Sequence, residues 1–393
     1  MAGRGRLTMR EVAREAQVSV FTVSVVLSGK GDAHRIAPAT RDRVLETARR
    51  LKYRHNLYAR HLSTGKSERI GILAFQLFSG VVRAKLEALS RAVAAQGHRV
   101  SLGYAAAHPE MQAQFAEEFA GSLVEGVIIL AASADLNGDA LEPLLDAGIP
   151  IVSLEPLPGI PIDCVTVDRR VGGYLATRHL LELGHRRIGV IHGGQASAER
   201  LQGYRQALEE FGCAPDDALL AQTQPGQGDT AYDKGLLLAR ELLALPSPPT
   251  AIFGNNDEIA TGALKAVQGA GLRVPEDLSV VGFDNIAAAA YACVPLTTIA
   301  QPSEELARQA VGLLFDRIRG AAEGPPRMIR VPPKLVVRDS TGPAPPAARI
   351  RHKAGVVASP VGRFHLEAPP APSAREKEKE DGRDEEPQGV HAD

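Results

Sequence analysis

The chain has 393 residues, 44% of them hydrophobic and 23% charged, which is the composition of an ordinary soluble globular protein long enough for two or three domains and a sizeable core. No run approaches the roughly 18 consecutive apolar residues of a membrane span, and "MAGRGRLTMREVAREAQ" has no continuous apolar stretch ahead of helical sequence, so neither a membrane anchor nor a secretory signal is expected and a cytoplasmic location follows. The net charge of −1 conceals a segregation: residues 1–66 hold 14 Lys and Arg against 5 Asp and Glu, or +9, leaving −10 for the rest, the pattern of a polyanion-binding head on an acidic body.

Three zones follow in chain order. The first, residues 1–66, reads as short helices, because "LTMREVAREAQ", "SVFTVSVVLSG" and "PATRDRVLETARRLKY" each space apolar residues at helical intervals. Thr8 and Glu11 have capping-box spacing, "AQVS" supplies a turn, and Ser19 is placed to cap a second helix through Thr22 and Val23 to Leu27. Two short helices about a tight turn in a basic context point to a helix-turn-helix.

From Ile70 the pattern changes to short apolar runs, such as "IGILAF", "EGVIIL", "RIGVI" and "LSVVGF", alternating with amphipathic helices. Strict alternation predicts parallel sheets covered on both faces. Gly97, Gly121, Gly148, Gly184, Gly212 and Gly271 fall where left-handed C-terminal caps are needed. The units are too many for one sheet of ordinary width, so the α/β region, residues 67–341, is expected to form two lobes divided near "PLPGIPID", with a small-molecule cleft at the carboxyl ends of the strands. Cys164, Cys213 and Cys293 form no CxxC pair or ligand cluster, and no metal or cofactor is expected. The last zone, residues 342–393, is Pro-rich and charge-dense and reads as a disordered tail.

The run "LTMREVAREAQVSVFTVSVVLSG", followed by "TRDRVLETARRLKYRHNLYARHLSTGKSERIGIL", resembles the head and hinge of the lactose repressor (LacI/GalR) family of bacterial transcription regulators. "HLLELGHRRIGVI", "ERLQGYRQAL", "AIFGNNDEIATGAL", "GLRVPEDLSVVGFDN" and "PLTTIAQP" match its core motifs in order, so the resemblance covers about residues 7–340. It implies an α/β fold with an all-α helix-turn-helix head and a two-lobed, periplasmic-binding-protein-like core. It further implies a homodimer whose heads bind double-stranded operator DNA with an inverted repeat, a small-molecule effector of the sugar class, repressor action, and no membrane partner.

Residue by residue, the resemblance places Thr8, Ser19, Thr22 and Ser24 at phosphates and Val20, Phe21 and Val25 at base-reading positions. Asn56 and Ala59 fall on the hinge helix, and Leu62 matches a leucine that wedges into the central base step, where unstacking kinks the duplex. Gln17 stands where the turn usually has glycine and His55 where a proline usually precedes Asn56. Val25 stands where the family usually has an arginine for guanine. An apolar reading face suits thymine C5-methyl groups; the competing reading buries all three residues, but Val23, Val26 and Leu27 already supply an inward face.

For the cleft, the resemblance carries over Arg200, Asn256 and Asp284, together with Glu155 and Phe75. An arginine, an amide and carboxylates form the donor and acceptor set that orients sugar hydroxyls. Asn256 and Asp257 also begin a helix, so one of them is a candidate cap instead. A solute-binding protein would share the lobes but not the +9 head. An enzyme lacks support, since no GxxxxGK[ST], HExxH or GxSxG occurs and His185 has no evident nucleophile or acid partner.

Overall fold

A computed structural model describes residues 7–27, 34–53, 67–75, 79–105, 108–131, 136, 138–194, 197–224 and 226–346. The predicted hinge positions Asn56, Ala59 and Leu62 lie outside the described residues, as does the expected tail beyond residue 346; its expected start at Gly342 is corrected, because Gly342 and Ala344 hydrogen-bond to Ser279 and Leu183 and remain part of the fold.

Among the described residues the head holds three helices, α1 (Met9–Glu15), α2 (Val20–Leu27) and α3 (Pro38–Arg50). At α1 the Glu11 carboxylate accepts from the Thr8 backbone N–H at 2.7 Å and from its hydroxyl at 3.0 Å. Ser19 Oγ accepts from the Thr22 N–H at 3.0 Å and so caps α2. Between them Gln17 adopts a left-handed φ of 51°, the conformation for which glycine is normally used. Pro38 opens α3, where a missing N–H costs nothing, and Arg49 and Arg50 close it against the helix dipole. Val12, Ala13, Ala16, Val23, Val26, Val44 and Ala48 form the small core these helices share.

Lobe 1 is a wholly parallel six-stranded sheet in the order β2 (Arg99–Tyr104), β1 (Arg69–Ala74), β3 (Gly126–Ala131), β4 (Ile151–Ser153), β5 (Asp163–Val167), β11 (Met328–Val331). Strand side chains alternate between faces. Ile70, Ile72, Ile128 and Leu130 meet α4 (Gly80–Ala95) and α12 (Ser303–Ile318), whereas Leu73, Val127 and Ile129 meet the other face's layer. That layer holds Ala116 of α5 (Pro109–Glu118) and Leu144 of α6 (Glu142–Asp146).

Lobe 2 repeats the plan in the order β7 (Leu220–Gln222), β6 (Ile188–His192), β8 (Ala251–Gly254), β9 (Ser279–Asp284), β10 (Thr297–Ala300), β12 (Lys334–Val336), with only β12 antiparallel. Val190, Phe253, Val281 and Phe283 pack on α7 (Arg169–Glu182) and α8 (Ser197–Glu210). Ile191, Ile252 and Val280 pack on α9 (Ala231–Leu243) and α10 (Asp257–Gly269), beside the short α11 (Ala287–Ala290). Helix pairs on both faces touch backbone to backbone. A Cβ on Gly173 would lie 2.1 Å from the Arg200 carbonyl oxygen, and one on Gly235 would lie 2.1 Å from that of Ile259.

Two expectations change. The division near "PLPGIPID" is displaced, because β5 still belongs to lobe 1; the chain crosses between Val167 and Arg169, returns between Ala300 and Ser303, and crosses again between Val331 and Lys334. Each sheet is therefore completed by a strand from the far end of the chain, which no division at a single point can describe. Gly97, Gly148, Gly184, Gly212 and Gly271 have the expected positive φ, but Gly121 lies inside a π-helical turn, Phe119–Leu123, that continues α5.

Candidate functional site

Parallel strands end on one side of each sheet, and those ends carry the polar residues. Glu155 follows β4 and Arg169 opens α7 just beyond β5. In lobe 2, Asn255 follows β8, Asp284 ends β9, Gln301 follows β10, and Arg200 stands in the first turns of α8.

Glu155 is a hub. One carboxylate oxygen accepts a short hydrogen bond from Arg169 Nη2, and the other lies 3.6 Å from Lys85 Nζ on α4. Arg169 also donates to Thr166 Oγ1 at 3.2 Å and lies 3.8 Å from Glu199, which pairs with Arg330 at 2.8 Å. Arg200 donates to Asn255 Oδ1 at 3.1 Å, stacks 4.0 Å above the Phe283 ring, and faces Asp284 at 3.9 Å. Asp284 accepts from Gln301 Nε2 at 2.6 Å. Two sets of contacts result: Lys85, Glu155, Arg169, Glu199 and Arg330 pair in a run of alternating sign from lobe 1 across the first crossing, and Arg200 with Asn255, Phe283 and Asp284 forms a second set in lobe 2, close enough to feel the charges of the first.

Burial governs the charge states here. Lys85, Arg169 and Arg200 are only 4%, 4% and 6% exposed. Desolvation pushes the Lys85 ammonium below the ordinary lysine value against the pull of Glu155, and takes Arg200 down to about 10 despite Asp284. The Asp284 carboxyl is raised by the same burial, with Arg200 opposing. Its backbone is strained as well, since Asp284 and Asn285 have φ of 116° and 55°. Asp257 holds that turn: its buried carboxylate accepts from the Ile286 N–H at 2.8 Å and from Thr298 Oγ1 at 2.5 Å, and burial lifts it to about 7.

Of the residues carried over from sequence, Glu155, Arg200 and Asp284 come together. Asn256 does not join them: its Oδ1 accepts from the Ile259 N–H at 2.8 Å, so it caps α10, and the preceding amide, Asn255, meets Arg200 instead. A helix that starts directly at a strand end needs its orphan donors met, and Asn256 is the residue in register to do so. Phe75 is 3% exposed and packs in the lobe 1 core with Leu73, Ala105 and Phe119 rather than with the charged cluster. Lys85, Arg169, Glu199, Gln301 and Arg330 were not anticipated.

On α2 the three proposed readers also part company. Val20 and Phe21 are exposed, Phe21 by 65%, whereas Val25 is 6% exposed and so is not available at the surface as expected. Apart from Thr22 and Ser24 helix α2 is apolar, and on it Val23, Val25 and Val26 are all buried, while the His34 ring meets the exposed Phe21 edge-on at 5.7 Å. Thr8 and Ser19 are exposed and Thr22 and Ser24 half-buried, with the Ser19 and Thr22 hydroxyls 2.9 Å apart.

Among the described residues no helix is long and apolar enough to cross a membrane, and no group of three His, Cys, Asp or Glu is placed to hold a metal ion.

The head matches the family model for bacterial regulatory proteins of the lacI family over residues 8–56, and the core matches a periplasmic binding protein-like domain over residues 177–341. The HTH-type transcriptional regulator DegA of Bacillus subtilis is 33% identical over 346 residues, covering 86% of this chain and 99% of that protein. The chain belongs to the lacI family. Among solved structures, this lacI-family regulator is similar to a transcriptional regulator CelR-cellobiose complex, with 32% identity, a TM-score of 0.63, and coverage of 85% of this chain and 100% of that one. It is also similar to the lac repressor dimer bound to operator and the anti-inducer ONPF, with 26% identity, a TM-score of 0.74, and coverage of 86% and 99%.

Proposed function

We propose that this lacI-family transcriptional regulator is a repressor that binds an inverted-repeat operator as a homodimer and is controlled by a sugar or sugar derivative held between its lobes. The observation that carries the reading is the set of Arg200, Asn255, Asp284 and the half-buried Glu155 at the strand ends of both lobes, where a ligand contacting all four makes different contacts when the lobes move. A similar structure is described as a cellobiose complex and another as a dimer on its operator, which supports the ligand class and the assembly. On the DNA side, Val20 and Phe21 are the readers, with Thr8, Ser19, Thr22 and Ser24 at phosphates. The segment with Asn56, Ala59 and Leu62 is assigned to the minor groove from the family resemblance. The deciding experiment titrates the full chain against DNA upstream of its own gene and against scrambled DNA. Affinity for the upstream DNA should exceed that for scrambled DNA by about 10³-fold or more and weaken steeply with salt; equal affinity for both rejects the reading.

A further inference from the structure

At the strand ends the cations are buried more deeply than most of the acids facing them: the Lys85, Arg169 and Arg200 side chains are 5%, 4% and 8% exposed, against 23% for Glu155 and 26% for Glu199, with Asp284 at 8%. Lys85, Arg169 and Arg200 converge on Glu155 and Asp284, while Glu199 and Arg330 offset each other at the margin. Two further acids lie nearby. Asp257 is committed to Thr298 and the Ile286 N–H, and Glu258, half-buried, has its carboxyl raised by burial.

The donors are unevenly met as well. Lys85 Nζ lies 3.6 Å from Glu155 Oε1, an ion pair too long for a hydrogen bond. Among the described residues the Nε atoms of Arg169 and Arg200 are enclosed without an acceptor, and Gln301 Oε1 is the one enclosed acceptor nearby that lacks a donor. Buried donors are ordinarily satisfied, and buried cations are ordinarily matched by an anion. The hydroxyls of a neutral sugar would supply acceptors but no counter-charge.

We propose that the effector is a sugar derivative bearing an anionic group, a carboxylate or a phosphate, seated by Lys85, Arg169 and Arg200. This rests on the reading of the cleft as the effector site. Lys85 belongs to lobe 1, Arg200 to lobe 2, and Arg169 to the first crossing between them. An anion held by all three would tie the lobes together, which makes its charge the part of the ligand that sets their closure.

The test is thermal unfolding of the full chain at fixed ionic strength with inorganic phosphate, glucose, glucuronate and glucose 6-phosphate. Wild type, Lys85→Gln, Lys85→Arg and Arg200→Met are compared. A ligand bound only by the folded state raises the Tm. Inorganic phosphate and at least one charged sugar should stabilise the wild type and Lys85→Arg, with apparent affinity at least about tenfold weaker in Lys85→Gln. Response to glucuronate alone among the sugars assigns a carboxylate, and response to glucose 6-phosphate assigns a phosphoryl group. Stabilisation by glucose equal to that by the charged sugars, unchanged in Lys85→Gln but lost in Arg200→Met, overturns the anion while leaving the cleft reading intact. No stabilisation by any anion, or equal stabilisation of all four proteins, overturns the anion site, and in the second case Arg200 is no ligand contact either.

Discussion

Gly173→Ala probes the contact that fixes Arg200. The new Cβ would lie 2.1 Å from the Arg200 carbonyl oxygen, and Gly203 makes the reciprocal approach, its own Cβ position lying 2.0 Å from the Arg170 carbonyl oxygen. A backbone carbonyl cannot rotate away as a side chain can, so α7 and α8 must separate by roughly an ångström, at the upper end of ordinary overpacking, about 3 kcal/mol. Alanine's better helix propensity returns about 1 kcal/mol. The net loss of about 2 kcal/mol corresponds to a fall in Tm of about 4–8 °C for a lobe of this size. Gly312→Ala is the control, since it lies mid-helix in α12 with nothing within 4 Å of its Cβ position, and should gain about 0.5–1 kcal/mol. Thermal unfolding by circular dichroism reads both. A Gly173→Ala protein as stable as the wild type would mean that the two helices do not pack backbone to backbone, and the placement of Arg200 would lose its support.

Gln17→Gly should raise the head's stability by about 0.5–1 kcal/mol, because the left-handed φ of 51° penalises a side chain; an unchanged or lower unfolding midpoint contradicts the strained turn. Phe21→Ala should leave the head folded but relax base selection in a binding-site selection, whereas Val25→Ala should lower its Tm, since only Val25 is buried. Asn256→Ala should cost about 1 kcal/mol through loss of the α10 cap, and equal stability in urea would argue against that role. His185 is buried against Thr250, Ser279 and the Gly342 carbonyl, and desolvation takes it from 6.5 to about 4. The unfolded chain therefore binds this proton first: the contribution is complete above pH 6.5 and falls away toward pH 4, by about 3 kcal/mol in all. His185→Gln should lose that part of the acid sensitivity, and an unaltered slope of stability against pH between 6.5 and 4 would remove His185 from the account.

The alternation of apolar runs with amphipathic helices was enough to read two covered parallel sheets, because buried strands and helix stripes leave periodic marks. The crossings were not legible in this way: α12 and β11 look like any other helix and strand, and only pairing with β5 shows that they return to lobe 1. In the cleft, Arg200, Asp284 and Glu155 were found by resemblance, but the choice between Asn255 and Asn256 depended on which amide falls in capping register. Lys85 did leave a trace. It sits on the buried stripe of α4 with Val82, Ala88, Leu89 and Val93, where a lysine is out of place unless something pairs with it. Arg169 and Arg330 left none, since a charged residue beside a strand end is ordinary until the far end of the chain is brought against it. Val25 departs from its expected exposure because, on a helix where Val23, Val25 and Val26 are all buried, apolar spacing alone does not separate a reader from the core.

A ligand between the lobes is proposed to change DNA binding by the head. Fluorescence anisotropy of the full chain on its selected inverted-repeat DNA, with and without the compound that most raises its Tm, tests this directly. Saturating ligand should change DNA affinity by about 5- to 150-fold, and Arg200→Met should remove the change while sparing ligand-free DNA binding. Stabilisation by ligand with DNA affinity unmoved, or a change that survives Arg200→Met, would contradict it.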